Sequence, residues 1–397
     1  MGLNDTVSAE RVHIGFFGMR NAGKSSLVNA VTGQNLSVVS EVKGTTTDPV
    51  KKAMELLPLG PVVIIDTPGL DDEGELGEMR VKKAKEVLAL TDIAVLVIDA
   101  AVGESPLDKE LLEDIKRRGI PFIVARNKSD LCGNGATLGE NEISVSARLG
   151  DGISELKELL GKFAKTKANK KVIISDRLTR GDLVVLVTPI DEAAPKGRLI
   201  LPQQMTLRDI IDAHATAIVC QPGELSDTLA SLGRKPKMVI CDSQVFGAVA
   251  KNTPRDIPLT SFSILMARYK GELSSLVNGF GAIKNLRDGD KVLISEGCTH
   301  HRQCNDIGTV KMPGWIESFT GAKPSFEFTS GGEFPDDLSK YKVIVHCGGC
   351  MLNEAEMKNR ASKAALAKIP MVNYGIAIAG MHGILERSIE LFADEIR

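Results

Sequence analysis

The last third of the sequence contains a short stretch that could bind a metal. Residues 346–350 read HCGGC and directly follow an apolar, strand-like run at 341–345. Two thiolates in a C-x-x-C pair can bind the same metal ion or cluster, and the two glycines let the backbone curve around it. Upstream, Cys298 and His300 follow a second strand-like run at 291–295. The spacing therefore predicts a metal or iron–sulfur site at the ends of two strands.

Two kinds of metal site are compatible with these side chains. Zinc would take three cysteines and one histidine in a closed tetrahedral arrangement. An iron–sulfur cluster usually takes four cysteines, but three can hold it if the fourth position is exchangeable. Local spacing leaves both chemistries open. The candidate ligands are Cys298, His300, His346, Cys347 and Cys350, with Asp306 and Glu296 as weaker oxygen ligands and with Cys304 and His301 as expected bystanders.

The beginning of the sequence contains a phosphate-binding motif. Residues 18–25 read GMRNAGKS, the complete G-x-x-x-x-G-K-S pattern, and they follow a predicted strand at 11–17. The backbone amides of such a loop bind phosphates, Lys24 reaches the terminal phosphates, and the Ser25 hydroxyl ligates magnesium. Asp66, at the end of another predicted strand, can hold the same ion through water. The residues expected to contact nucleotide or ion in the loop are Gly18, Asn21, Ala22, Gly23, Lys24, Ser25 and Ser26.

The segment from 121 to 147 predicts guanine specificity. A strand predicted at 121–126 leads into NKSD at 127–130. The carboxylate of Asp130 can accept from the ring N1–H and the exocyclic amine of guanine, which adenine lacks, so the wrong base leaves a buried group unpaired. These motifs predict GTP as the ligand and GTP hydrolysis as the reaction. The residues expected to recognise the base are Asn127, Lys128, Asp130, Ser146 and Ala147.

The switch region resembles that of one group of GTPases. Residues 44–48 read GTTTD, similar to the G-T-T-R-D switch of the translation-factor-like GTPases of tRNA modification and ribosome assembly. The resemblance makes Thr46 the expected magnesium ligand, followed by Thr45, and Thr47 replaces the arginine of the pattern. Gly69, in the sequence DTPG, completes the expected catalytic residues.

The same resemblance bears on the rate of hydrolysis. Leu70 follows DTPG, so no side chain in the chain itself is evident to orient the attacking water. Asn21 matches the asparagine that holds an activating potassium ion in this group, and its alternative role is to cap the loop backbone. We therefore expect slow intrinsic turnover that potassium raises.

The composition argues against several function classes. The 49 basic and 51 acidic residues nearly balance, and no run of like charge suggests a nucleic-acid or anionic-membrane surface. No apolar stretch approaches the length of about 18 residues needed to span a membrane. The cysteine count of seven is odd, which fits metal chemistry in a reducing cytosol better than a disulfide framework. We expect a cytoplasmic protein that binds neither nucleic acid nor membrane.

At 397 residues the chain is long enough for several domains, and the pattern predicts three of α/β class. A P-loop GTPase domain is expected over 1–170, a small parallel-sheet α/β domain over 171–268, and an α/β cluster domain over 269–397. The middle segment alternates strand-like and helix-like runs without a phosphate loop, so we expect it to mediate self-association. Later elements expected are helices over 269–283 and 354–368 and a strand over 371–375.

The order of the motifs resembles one known family. A GTPase of this type followed by C-x-H and then by H-C-x-x-C is similar to the FeFe-hydrogenase maturation GTPase (HydF) family along the whole chain. The resemblance implies that Cys298, Cys347 and Cys350 hold a 4Fe-4S cluster whose fourth iron site is labile. It implies that His300 and His346 either lie beside these ligands or bind the cluster only transiently. It also implies that the middle domain forms a homodimer.

The resemblance also implies a function. Two radical-SAM maturases build a diiron subcluster precursor, and a protein of this family holds that cargo and delivers it to apo FeFe-hydrogenase. GTP would bias the switch loops at 41–49 and 69–80 between states that bind or release a partner maturase.

Two other functions fit parts of the sequence. One is a GTPase in tRNA modification or ribosome assembly with a structural zinc domain, and the absence of a basic patch argues against it. The other is a metal-storage or metal-binding module with a vestigial GTPase, and the intact GTPase motifs argue against that.

Overall fold

The computed structural model describes residues 8–34, 49–70, 74–132, 138–168, 172–190, 199–297 and 306–396. The chain divides into two compact units, Met1–Lys170 with Asn353–Glu356, and Lys171–Leu352 with Met357–Arg397. No helix in the described ranges is long and apolar enough to cross a membrane.

The first unit is built on one sheet. Its described strands lie in the order β2-β3-β1-β4-β5-β6, with β2 antiparallel to β3 and the other neighbours parallel. In chain order its elements are β1 (Val12–Phe17), α1 (Lys24–Thr32), β2 (Val50–Leu56), β3 (Gly60–Asp66), α2 (Gly74–Ala89), β4 (Ile93–Asp99), α3 (Pro106–Arg117), β5 (Phe122–Asn127), β6 (Glu142–Ser144) and α4 (Ile153–Ala168).

Both faces of this sheet are covered by apolar side chains. One core cluster contains Ile14 and Leu27, and the other contains Phe17 and Leu88. Parallel strands that are buried on both faces appear as nearly continuous apolar runs, which is why the sequence predicted them well. In such folds ligands bind at the carboxyl ends of the strands.

The second unit contains two parallel sheets, in the orders β10-β9-β7-β8 and β12-β11-β13-β14. One continuous cluster of buried apolar residues joins them. The α/β class with parallel sheets is confirmed. In chain order the elements are β7 (Leu183–Val187), α5 (Leu201–Asp212), β8 (Thr216–Cys220), α6 (Leu225–Ser231), β9 (Met238–Cys241), α7 (Phe246–Asn252), β10 (Leu259–Ser261), α8 (Phe262–Tyr269), α9 (Leu273–Lys284), β11 (Lys291–Ser295), α10 (Met312–Thr320), β12 (Ser325–Thr329), β13 (Val343–His346), α11 (Glu354–Leu366), β14 (Met371–Asn373), α12 (Tyr374–Met381) and α13 (Leu385–Ile389).

Two of the predicted elements were wrong in their bounds. The helix expected over 269–283 is broken, because α8 ends at Tyr269 and Gly271 has a positive φ of 81° that stops it, so α9 begins only at Leu273. The strand expected over 371–375 ends at Asn373. The Asn373 side chain accepts from the backbone N–H of Ile376 and so caps the start of α12.

Candidate functional site

Lys24, the lysine of the predicted phosphate-binding loop, lies at the start of α1 and is buried. Its Nζ donates to the carbonyls of Gly18 at 3.0 Å and Met19 at 2.9 Å. Burial lowers the pKa of Lys24 to about 8, although the nearby carboxylates of Asp66 and Asp108 act to raise it. The ammonium group is thus held inside the loop by carbonyls that a phosphate can replace.

Asn127 connects the phosphate loop to the base-binding turn. Its Nδ2 donates to the Ala22 carbonyl at 3.0 Å, and its Oδ1 accepts from the Ala147 backbone N–H at 3.0 Å. Gly23 has a φ of 86°, and a Cβ there would lie 2.3 Å from Asn127 Nδ2. Only glycine therefore fits at this point of the loop.

Ser25 and Asp66 lie together where a magnesium ion would be expected. The Ser25 Oγ donates to Asp66 Oδ2 at 2.7 Å. A hydroxyl and a carboxylate at this separation supply the hard oxygen ligands that magnesium prefers, so the donor set fits the ion.

Gly69 lies close to the phosphate loop because two backbone hydrogen bonds join the segments. The Leu70 N–H donates to the Gly18 carbonyl at 3.1 Å, and the Arg20 N–H donates to the Leu70 carbonyl at 2.9 Å. The residues after Asp66 are therefore fixed against the loop that would hold the phosphates.

The residues predicted to recognise guanine also have side-chain partners. Asp130 Oδ1 accepts from Ser146 Oγ at 2.7 Å. Lys128 has a positive φ of 64°, and its Nζ lies 2.6 Å from Asp99 Oδ2. Each pair holds a side chain of the NKSD segment in one orientation, as a base-recognition site requires.

The remaining residues of the predicted nucleotide site make fewer contacts. Asn21 has a positive φ of 64° and is exposed, and Ser26 is exposed on the first turn of α1. Thr45, Thr46 and Thr47 lie outside the described residues, so the expected switch stays a prediction.

The candidate cysteine site lies at the carboxyl edge of the sheet that contains β11 and β13. These strands are parallel neighbours, and Ser295 lies opposite His346. Cys347 therefore begins its loop beside the loop that leads to Cys298. Cys298 and His300, together with His301 and Cys304, lie outside the described residues, and Gly297 is the last described residue before them.

The Cys347 sulfur is placed by backbone hydrogen bonds. Its Sγ accepts from the N–H of Gly297 at 3.0 Å and from the N–H of Gly349 at 3.3 Å. Gly349 has a φ of 61°, and a Cβ there would lie 2.6 Å from Met357 Sδ. Gly297 directly precedes Cys298 in the sequence, so the first of these bonds holds the last described residue before Cys298 against the Cys347 sulfur.

A lysine that the sequence analysis missed lies beneath the same loop. Lys270 is 6 % exposed, and its Nζ donates to the carbonyls of Gly349 at 2.9 Å and Leu352. Burial raises the pKa of the Cys350 thiol, and the positive charge of Lys270 acts in the opposite direction. Nothing in its local sequence distinguishes this lysine from a surface one.

His346 and Arg360 form a buried pair behind the loop, and both are fully buried. Arg360 Nη1 donates to His346 Nε2 at 3.1 Å and Ser295 Oγ at 3.3 Å. The other ring nitrogen, Nδ1, lies 2.7 Å from the Cys347 carbonyl. Burial, and next the charge of Arg360, lower the pKa of His346 to about 3. The neutral ring uses both nitrogens within the protein, which favours a role beside the cysteines over binding a metal.

The weaker oxygen candidates have partners of their own. Asp306 Oδ2 accepts from the N–H and the hydroxyl of Thr309 and so caps the turn Ile307–Lys311. Glu296 Oε1 accepts from the Tyr374 hydroxyl at 3.2 Å. Within the described ranges, no group of three or more His, Cys, Asp or Glu residues could hold a metal ion.

The described half of the site nevertheless fits a thiolate-bound group. Two N–H donors stabilise negative charge on the Cys347 sulfur, and the buried ammonium beneath the loop acts against the burial that raises the pKa of Cys350. Hydrogen bonds to the sulfurs are also one of the ways in which proteins tune iron–sulfur clusters.

Three family models match the chain. Residues 173–271 match the Hydrogen maturase F dimerization domain, and residues 274–391 match the Hydrogen maturase F tetramerization domain. Residues 13–128 match the 50S ribosome-binding GTPase model. The two maturase models together span more than half of the chain.

The chain is also similar over part of its length to curated GTPases. The tRNA modification GTPase MnmE of Hamiltonella defensa is 34 % identical over 160 residues, which is 38 % of this chain and 35 % of the relative. The GTPase Der of Kosmotoga olearia is 36 % identical over 127 residues, 31 % of this chain and 28 % of the relative. The chain therefore spans about a third of the length of these relatives. The solved structure of Aquifex aeolicus Era is 17 % identical, with a TM-score of 0.35 over 89 % of this chain and 97 % of that one.

Proposed function

The chain belongs to the hydrogen maturase F family and contains a GTPase domain, and we propose that it is a GTP-hydrolysing scaffold and carrier in FeFe-hydrogenase maturation. It works in the cytoplasm, holds the diiron subcluster precursor beside its own 4Fe-4S cluster, and delivers that cargo to apo FeFe-hydrogenase. The cluster ligands are Cys298, Cys347 and Cys350.

One observation carries this proposal. The Cys347 sulfur accepts two backbone N–H bonds, and one of them comes from Gly297, the residue directly before Cys298. Two cysteine loops from neighbouring strands thus meet at one sulfur, as a shared group requires. When bound, a cluster with three cysteine ligands supplies an iron with an exchangeable position, where a ligand of the cargo can attach.

The chain's own residues prepare this site. The N–H groups of Gly297 and Gly349 favour the thiolate form of Cys347, and the ammonium of Lys270 acts against the burial that raises the pKa of Cys350. His346 Nδ1 donates to the Cys347 carbonyl, and Arg360 fixes the His346 ring through its Nε2, so the loop keeps one orientation. Their burial also excludes water from that side of the loop.

The nucleotide site has separate roles. Lys24 binds the terminal phosphates, Ser25 and Thr46 ligate magnesium, Asp66 holds that ion through water, and Gly69 lies beside the terminal phosphate. Potassium bound at Asn21 raises the slow intrinsic rate of GTP hydrolysis. The alternative is that Asn21 only caps the backbone of the loop. Hydrolysis in sodium and potassium buffers distinguishes these two roles.

GTP controls partners in this proposal and does not drive the inorganic chemistry. The switch loops at 41–49 and 69–80 change state on hydrolysis, and each state favours binding or release of one of the two radical-SAM maturases. The segments 1–170, 171–268 and 269–397 act as the GTPase, the homodimerisation and the cluster domain.

A transfer assay tests the proposal. The full-length chain is loaded with the diiron precursor, re-purified without oxygen and mixed with apo FeFe-hydrogenase. Hydrogen evolution is expected with the loaded chain and not with the unloaded chain. No activation, together with RNA that co-purifies with a steep salt dependence, would favour the tRNA-modification alternative that the curated GTPase relatives suggest.

A further inference from the structure

The second unit contains a cavity that the proposed function does not use. It has a volume of about 530 Å³, within the range of small-molecule sites. It lies between the end of α7 with its following loop and the turn that joins α12 to α13. The first wall belongs to the region matching the dimerization model, and the second to the region matching the tetramerization model.

The cavity is lined by positive and potentially positive side chains. They are Lys251, Arg255, His382 and Arg387, and no acidic side chain lines it among the described residues. Lys251, Arg255 and His382 are exposed. Asp256, the acid that follows Arg255, is paired with Lys235 at 2.7 Å. These charges therefore lack a neutralising acid in the cavity wall.

Arg387 fixes one side of the cavity. It is 9 % exposed, and its Nε is buried without a hydrogen-bond partner in the described part of the chain. Burial, and next the positive charge of Arg255, lower the pKa of Arg387, whereas Glu390 acts to raise it. Its terminal nitrogens donate to the carbonyls of Ala250, Thr253, Pro254 and Ile257.

We propose that this cavity binds a small multivalent oxyanion, a phosphate-bearing or polycarboxylate molecule, between Lys251, Arg255, His382 and Arg387. The exposed guanidinium of Arg255 matches the planar or tetrahedral oxygens of such groups, and Lys251 adds a mobile point charge. Arg387, whose terminal nitrogens are held by carbonyls, contributes its positive charge from the wall. The bound anion removes the repulsion between Arg255 and Arg387. It contacts both walls and so stabilises the junction between the two matched regions. The inference is independent of the cysteine site and of GTP hydrolysis.

Calorimetric titration tests the proposal on the full-length chain saturated with GDP and magnesium, so that the phosphate loop is already occupied. The probes are inorganic phosphate and benzene-1,3,5-tricarboxylate, with potassium chloride at matched ionic strength as the reference. One site with a dissociation constant below about 1 mM is expected for at least one probe. The probe that binds more tightly identifies which class of oxyanion the cavity takes.

Exposed variants avoid the risk that an Arg387 substitution unfolds the loop. Arg255→Ser and Lys251→Ser should each weaken binding about tenfold. Arg208→Ser removes an exposed charge outside the cavity, one that pairs with Asp212, and should leave binding unchanged. Equal binding by all three variants, or no binding of either probe up to about 20 mM, would overturn the proposal.

Discussion

The nucleotide site and the cysteine site are prepared for their ligands in different ways. In the nucleotide site, side chains from separate motifs already pair with each other, as Ser25 does with Asp66 and Ser146 with Asp130. In the cysteine site, two backbone N–H groups donate to the Cys347 sulfur, and Lys270 lies buried beneath the loop, bonded to its carbonyls.

The difference reflects the charge that each site must accept. A nucleotide brings phosphates and magnesium together, so its site can keep acids and bases paired until the ligand replaces those bonds. A thiolate site must stabilise negative charge on its own ligands, so N–H donors and Lys270 are built around it. The two sites should therefore fail independently when one of them is mutated.

The largest effect is expected from Cys347→Ser, which should disrupt the cysteine site and leave the nucleotide site intact. Cys347→Ser removes the sulfur that receives two N–H bonds, so iron and sulfide content should fall below about a tenth of the unmodified value. GTP hydrolysis should stay within about twofold, since the change lies in the other unit. Iron, sulfide and phosphate-release assays on one preparation check both.

Cys132→Ser, which removes a free thiol in the first unit, is the matched control. Loss of hydrolysis in Cys347→Ser would contradict the separation of the two sites.

The converse change should break the nucleotide site alone. Lys24→Ala removes the buried ammonium that meets the terminal phosphates, and kcat for GTP should fall at least about 100-fold. Iron and sulfide content should not change. Lys109→Ala, an exposed lysine on α3, should hydrolyse GTP normally. A Lys24→Ala chain that loses its iron would show that the nucleotide site supports the cysteine site.

A smaller effect is expected when the side-chain pair between Ser146 and Asp130 is removed. Ser146→Ala removes the hydrogen bond to Asp130, so affinity for GDP should fall about three- to tenfold. Titration of a fluorescent GDP analogue measures it. Ser129→Ala, in the same NKSD segment, makes no such bond to Asp130 and serves as the control. Unchanged affinity in Ser146→Ala would mean that Asp130 needs no support to read the base.

The smallest effect concerns the sheet that positions the cysteine loops. Glu327 on β12 pairs with Lys340 and Tyr341 and, more weakly, with Lys291. The hydrogen bond from Lys340, followed by that from Tyr341, lowers the pKa of Glu327 from 4.5 to about 2. A carboxylate whose pKa is lower in the folded chain than in the unfolded chain stabilises the fold at pH values above its unfolded-state pKa. That contribution is lost as the pH falls toward 2.

Glu327→Gln should therefore lower the urea midpoint slightly at pH 7, and the difference from the unmodified chain should shrink between pH 5 and pH 3. Glu317→Gln, on the exposed face of α10, is the control. If the difference in urea midpoint between Glu327→Gln and the unmodified chain stays constant with pH, the charge of Glu327 adds no stability through its pairs.

The sequence predicted the elements whose signal is local. The strands before GMRNAGKS, NKSD and HCGGC are apolar runs that end at a motif, and each is present close to its expected bounds. Where the prediction of a helix over 269–283 failed, a single glycine decided the outcome. Its positive φ ends α8 and places Lys270 in the break.

The buried cations could not be predicted. Lys270 directly follows α8 and Arg360 lies on α11, and the local sequence marks neither as buried. Lys and Arg are almost never fully buried unless paired. Their partners come from distant segments, since Lys270 contacts Leu352 and Arg360 contacts Ser295. A single sequence carries no signal for such pairs, whereas the motifs of the nucleotide site carry theirs in residue type and spacing.

The central claim is that three thiolates hold a 4Fe-4S cluster on a chain that also hydrolyses GTP. The most direct test measures iron, sulfide and zinc in protein purified without oxygen, together with an EPR spectrum after reduction. We expect about four irons and four sulfides per chain and the EPR signal of a reduced 4Fe-4S cluster. Stoichiometric zinc without sulfide would contradict it.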